Sequence, residues 1–137
     1  MNKKQIRQYA DRKLKEFRRW QRIARSLDLA YSDDYILQAE SNDFQPVERL
    51  KINQEIAEQE LNAIKSAINS IDNKRLRQLL ILNYLERKEL KDVRRLIERQ
   101  NKPYEPIKES QCNYLKNKAL LAFAKHYRSG ALETLSD

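Results

Sequence analysis

The sequence predicts an all-α helical bundle. Only one of its 137 residues is Gly and three are Pro, which leaves little material for tight β-hairpins. Apolar residues recur at helical spacing through most of the chain, the mark of amphipathic helices around a shared core. A length of 137 residues fits one compact domain, or a small domain with an extension. No apolar run reaches the length of a membrane span, and the charged first residues do not resemble a signal peptide, so a cytoplasmic protein without membrane contact is expected. Cys112 is the single cysteine, which excludes an internal disulfide, and together with the single histidine, His126, it falls short of a zinc set. No metal or other cofactor is expected.

The first segment, 1–27, reads as a basic amphipathic helix. Ile6, Ala10, Leu14, Phe17, Trp20, Ala24 and Leu27 form its apolar stripe. Residues 1–26 hold ten Lys and Arg against Asp11 and Glu16, a surplus equal to the whole chain's net charge of +8. A polyanion is the partner such a segment suits. Three readings compete: the solvated face of a core-docked helix, a helix that tracks phosphates, and a membrane-surface helix, the last disfavoured by the narrow stripe.

Residues 28–46 change character, with five acids (Asp28, Asp33, Asp34, Glu40, Asp43) and no Lys or Arg. An acidic linker is the expectation. Clustered carboxylates bind metal or move protons only when a rigid frame brings them together.

From 47 to 71 the pattern is regular. Val47, Gln54, Leu61 and Ile68 recur every seven residues, as do Leu50, Ala57, Ile64 and Ile71, which makes a seam like heptad a and d positions on one long helix. The seam pairs either within the chain or with a second copy in a homodimer.

The last segment, 72–137, starts with Asp72 or Asn73 as an N-cap, followed by LRQLLILNYLERK. Leu76, Leu79, Leu80, Ile81, Leu82, Tyr84 and Leu85 surround most of that wheel, so a core helix is predicted. A short helix over 89–100 turns Leu90, Val93, Leu96 and Ile97 inward, and QNKPYEP with its two prolines breaks the chain.

KESQCNYLKNKALLAFAKHY, residues 108–127, is polar at its start and apolar at its end. At 100° per residue Ser110, Asn113, Tyr114 and Asn117 share one face, while Cys112, Leu115, Ala119, Ala122 and Phe123 lie opposite. Past Leu120 the polar side narrows, and Ser129 with Gly130 offers a C-cap. Such a helix fixes its C-terminal half in a core and projects its N-terminal half, the arrangement a recognition helix needs to enter a major groove. The helix before it becomes the first of a helix-turn-helix pair. Any amphipathic terminal helix also has a polar face.

The run Leu79 to Leu85, the Glu109-Ser110-Gln111 start and the Lys118-Ala119-Leu120-Leu121-Ala122-Phe123-Ala124 close resemble the ArpU family of phage transcriptional regulators. Arg18-Arg19-Trp20-Gln21-Arg22-Ile23-Ala24 is similar to that family's basic opening. The resemblance covers most of the chain apart from the acidic connector. It implies a helix-turn-helix similar to region four of sigma factors, a role in switching on phage or prophage genes, typically the late operon, and partners in promoter double-stranded DNA and host RNA polymerase. Lys108 to Asn117 match the DNA-reading helix. Cys112, Asn113 and Tyr114 stand where the family has an aromatic pair followed by Arg, so the base preference must differ. The turn from Asn101 to Pro106 is longer than usual, and Arg94 or Arg95 occupies a place where a small residue often lets the two helices approach.

With that role, Ser110, Asn113, Tyr114 and Asn117 are the expected base readers, and Lys102, Lys108, Lys116 and Lys118 the backbone contacts, with Arg18, Arg19 and Arg22 adding charge. Two competitors remain. A helical protein-interaction module, adaptor or anti-activator, explains the heptad seam without DNA. An enzyme is the weaker rival, since Ser110 and His126 lie far apart on one helix and no Gly-rich phosphate loop exists.

Overall fold

The computed structural model describes residues 2–30, 45–100 and 106–135. The chain is all-helical, with no strand among the described residues. The α-helices are α1 (Lys3–Lys15), α2 (Phe17–Ala30), α3 (Gln45–Asn69), α4 (Lys74–Leu80), α5 (Leu90–Gln100) and α6 (Glu109–His126), with a π-helical turn at Ile81–Leu85 and two 3₁₀ turns at Tyr127–Ser129 and Ala131–Glu133. They form two compact units, one of Met1–Lys15 with Ile64–Asp137, the other of Glu16–Ala63.

The N-terminal segment differs from the single helix its stripe predicts. It is interrupted at Glu16, and its second part runs on to Ala30, into the segment expected as linker. The unit boundary falls at this interruption, so six of the ten cations belong with α1 and the four arginines Arg18, Arg19, Arg22 and Arg25 with α2. Of the acidic connector, 31–44 lies outside the described residues.

In the first unit α1 begins on a reciprocal cap. Asn2 Oδ1 accepts from Gln5 N at 2.8 Å and Gln5 Oε1 from Asn2 N at 3.4 Å, which satisfies two of the amides a helix start leaves open. Arg12, Lys13 and Lys15 in the last turn suit the negative end of the helix dipole. Ala10 and Leu14, one turn apart, are fully buried, and α1 packs along α6.

The long helix α3 opens with Pro46 in its first turn, where a missing N–H costs nothing. Its predicted seam is buried unevenly: Ala57, Ile64 and Ile68 are enclosed, as is Ile71 in the turn after the helix, whereas Gln54 and Leu61 are half-exposed. The turn into α4 is locked from both sides. Asn73 is the N-cap, its Oδ1 accepting from Arg75 N at 2.9 Å and Leu76 N at 3.2 Å, and Arg77 Nη1 donates to the Asp72 carbonyl at 3.1 Å and to that of Ile71.

Leu76, Leu79 and Leu80 are buried as expected, but the helix widens after Leu80. Glu86 N reaches the Ile81 carbonyl at 2.9 Å, one residue further than in an α-helix. Ile81, Leu82 and Leu85 are therefore only half-buried, and Tyr84 is the enclosed residue of the turn. Val93 and Ile97 anchor α5. At the far end the predicted cap is displaced: α6 stops at His126, and Gly130 instead closes the 3₁₀ turn with φ +88°. A Cβ there would sit 3.0 Å from the mobile end of the exposed Glu133 side chain, so it is the left-handed backbone that favours glycine.

Truncating Leu14 tests whether α1 is part of the first unit's core. Leu14→Ala is expected to lower unfolding stability in urea by about 2–5 kcal/mol. Arg12→Ala, an exposed change on the opposite face of the helix, should stay within about 0.5 kcal/mol.

Candidate nucleic-acid interface

The entry to α6 is held in place by the helix before it. Ile107 is buried and its N–H donates to Glu98 Oε1 of α5 at 2.6 Å. Lys108 then takes the N-cap position with extended φ and ψ of −70° and 154°. Gln111 reaches back so that its Oε1 accepts from Lys108 N at 3.0 Å, the side-chain half of a capping box.

From that start the two faces of α6 separate. Cys112, Ala119, Leu120, Phe123 and Ala124 are buried, and Leu115, Leu121 and Ala122 are half-buried. The Phe123 ring lies 5.5 Å from that of Tyr127, which is also enclosed. Ser110, Asn113, Tyr114 and Asn117 are all exposed, Tyr114 at 62%. None of these four side chains makes a hydrogen bond with a described residue, so their polar groups are open to a ligand. Lys118 extends its Nζ over the Tyr114 ring at 5.3 Å, which braces that ring on the exposed side.

The expected backbone cations fare differently from one another. Lys108 and Lys118 are exposed. Lys116 is half-buried, its Nζ 5.2 Å from the Tyr84 ring centre, a contact between α6 and the π-helical turn. Lys102 lies outside the described residues. In the other unit Arg18, Arg19 and Arg22 are exposed on α2, with Arg19 placed 3.6 Å from Glu16 and stacked over Trp20 at 5.0 Å.

Lys116 leads to a polar junction that no sequence pattern announces. Tyr84 Oη donates to Asp11 Oδ1 at 2.5 Å, across 73 residues of chain, and Lys15 Nζ is 2.9 Å from Asp11 Oδ2. Three elements, α1, the π-helical turn and α6, thus share one cluster of charge and aromatic surface. Burial pushes the Asp11 carboxyl up, but the hydrogen bonds from Tyr84 and Lys15 and the positive charges of Lys15 and Lys116 outweigh it, so its pKa falls below the ordinary 3.8. Burial first, then the bond to Asp11 and its charge, drive the Tyr84 phenol far up, which keeps it protonated as a donor.

On the other side of α6, Arg94 stands beside Cys112. Leu90, Lys91, Arg94, Glu109 and Cys112 line a cavity of about 170 Å³ between α5 and α6. Burial pushes the Cys112 thiol up, and Glu98 adds to this against the opposing charges of Arg94 and Lys116. The thiol is held as an unreactive apolar group. Lys88, Arg95 and Arg99, of which no part in binding was expected, line a shallow cavity of about 270 Å³ along α5 with Asp92 and Leu96, the last expected inward but only half-buried. Their spacing of seven and four residues was the signal available for this stripe.

Among the described residues no helix is long and apolar enough to cross a membrane, and no three His, Cys, Asp or Glu side chains converge as metal ligands would. No protein-family model, curated protein or solved structure matches this chain.

Because the folded Asp11 pKa is depressed, its contribution to stability is complete above the unfolded value near 3.8 and is lost as pH falls through the lower folded value. Urea unfolding followed between pH 6 and pH 2 is expected to show this acid loss in the wild type, a shallower one in Tyr84→Phe, and none of the Asp11 component in Asp11→Asn.

Proposed function

We propose that this protein is a sequence-specific DNA-binding regulator of phage or prophage genes, working in the bacterial cytoplasm. The observation that carries the reading is the division of α6: Ser110, Asn113, Tyr114 and Asn117 are exposed with unoccupied polar groups, and the helix is fixed behind them by Phe123 and its buried neighbours. A helix presented in this way enters a major groove by its first turns. Lys108 and Lys118 flank the readers as phosphate contacts, with Lys102 a further candidate, and Arg18, Arg19 and Arg22 supply sequence-independent attraction. Lys116 acts through Tyr84 and Asp11 to fix the angle of α6. The resemblance to the ArpU regulators supports an activator of late genes that meets host RNA polymerase at promoter DNA.

No catalytic step belongs to this reading. Ser110 and His126 are separated by roughly 24 Å along the helix at 1.5 Å per residue, and His126 is an exposed helix-end residue. A second reading, a helical adaptor or anti-activator that works without DNA, draws on α3: Ile52 is 57% and Ile56 47% exposed, one turn apart. It fits a protein partner and gives no account of the open amides on α6.

Fluorescence anisotropy with duplexes selected by the wild-type chain separates the roles. Asn113→Ala is expected to cost about 1–3 kcal/mol on a selected duplex and little on random DNA. Lys108→Ala should weaken both alike and reduce the salt slope by about one. Equal losses on both kinds of DNA from both variants contradict the assigned roles, and an absence of salt-dependent duplex binding favours the adaptor.

A further inference from the structure

Resting on that DNA-reading role, we propose that the front of α6 is built to read A·T base pairs through the major groove, with Asn113 and Asn117 as adenine readers and Tyr114 packed on a thymine methyl. The donors and acceptors that the helix leaves open decide this. Guanine is most often read by a bidentate Arg or Lys on O6 and N7. From Glu109 to His126 there is no arginine. Of the three lysines on the helix, Lys116 is turned to Tyr84, Lys118 lies over Tyr114, and Lys125 sits three turns beyond Asn113, next to the buried end.

Beside the Ser110 hydroxyl, which can pair with either kind of base, and Lys108, assigned above to a phosphate, what remains open is carboxamide and aromatic. A carboxamide offers one acceptor and one donor side by side, the complement of N6–H and N7 on adenine. Gln111, the third amide of these turns, has its oxygen engaged in the cap, which leaves Asn113 and Asn117. They are one turn apart, roughly 6 Å along the axis, so they reach base pairs within two steps of each other at 3.4 Å per step. Tyr114 lies next to Asn113, and its ring, 62% exposed, offers apolar surface to a ligand. The apolar C5-methyl of thymine, present only on A·T pairs in this groove, is the group such a ring can cover. Glu109 at the first turn accepts from cytosine N4 and admits one G·C pair at the margin of the site.

The test uses the full chain and a pool of random duplexes. Selection is expected to enrich at least two A·T pairs within three consecutive positions. On a selected duplex, 7-deazaadenine at the read positions removes the N7 acceptor from the major groove alone; wild-type binding should fall about 5- to 150-fold, and Asn113→Ala or Asn117→Ala should abolish sensitivity at its own position. Uracil in place of thymine should weaken the wild type and leave Tyr114→Ala indifferent. Enrichment of consecutive G·C pairs whose replacement by 7-deazaguanine weakens binding overturns the A·T assignment while leaving DNA reading intact. Uniform binding to every duplex overturns sequence reading itself, and this proposal with it.

Discussion

The burial of one side of α6 is the constraint on which the first unit depends. Ala119, Leu120, Phe123 and Ala124 are enclosed, and the elements that enclose them come from both ends of the chain, since α1, α4, α5 and the last 3₁₀ turn all meet this helix. A side chain of Phe123's size contributes on the order of 2–3 kcal/mol through burial alone, and no single neighbour supplies the whole surface. The consequence reaches the candidate interface directly. With the rear fixed, the first two turns cannot rotate their amides into the protein, and Ser110, Asn113 and Asn117 have no alternative partners there.

Polar contacts refine what the apolar ones establish. The Tyr84 hydroxyl on Asp11, with Lys15 on the same carboxylate and Lys116 over the ring, joins three elements at the edge of the core. Aromatic and charged groups brought together in this way set a crossing angle more sharply than aliphatic packing does, because each has a preferred geometry. At the other edge Glu98 holds the Ile107 amide and fixes where α6 starts. The helix is thereby positioned at its beginning by α5 and in its middle by α1 and the π-helical turn, while the cavity beside Arg94 leaves the α5 and α6 contact the looser of the two.

Features written in neighbouring residues were legible in the sequence. The scarcity of Gly and Pro, the Asn73 cap, the inward pair Val93 and Ile97, and the two-faced character of α6 follow from spacing and local chemistry alone, and the structure has each of them. The interruption at Glu16 was not legible, because the apolar stripe from Leu14 through Phe17 continues across it without Gly or Pro. Nor was the π-helical turn, since seven apolar residues around a wheel specify burial without specifying pitch. The Tyr84 and Asp11 pairing joins positions 73 residues apart, and no periodicity in one sequence encodes such a contact. Lys116 illustrates the point: by spacing it stood beside the readers as a phosphate contact, and nothing in that spacing showed its contact with the Tyr84 ring on another element.

The account's central claim is that the front of α6 is the surface that meets DNA. Amide and side-chain NMR spectra of the full chain, recorded during titration with a selected duplex, test it most directly. The account predicts that the largest shifts occur at Ser110, Asn113, Tyr114 and Asn117, including the carboxamide protons of both asparagines, while Ala119 and Phe123 move little. Saturable binding that leaves those four residues unchanged and shifts Ile52 and Ile56 instead would contradict it.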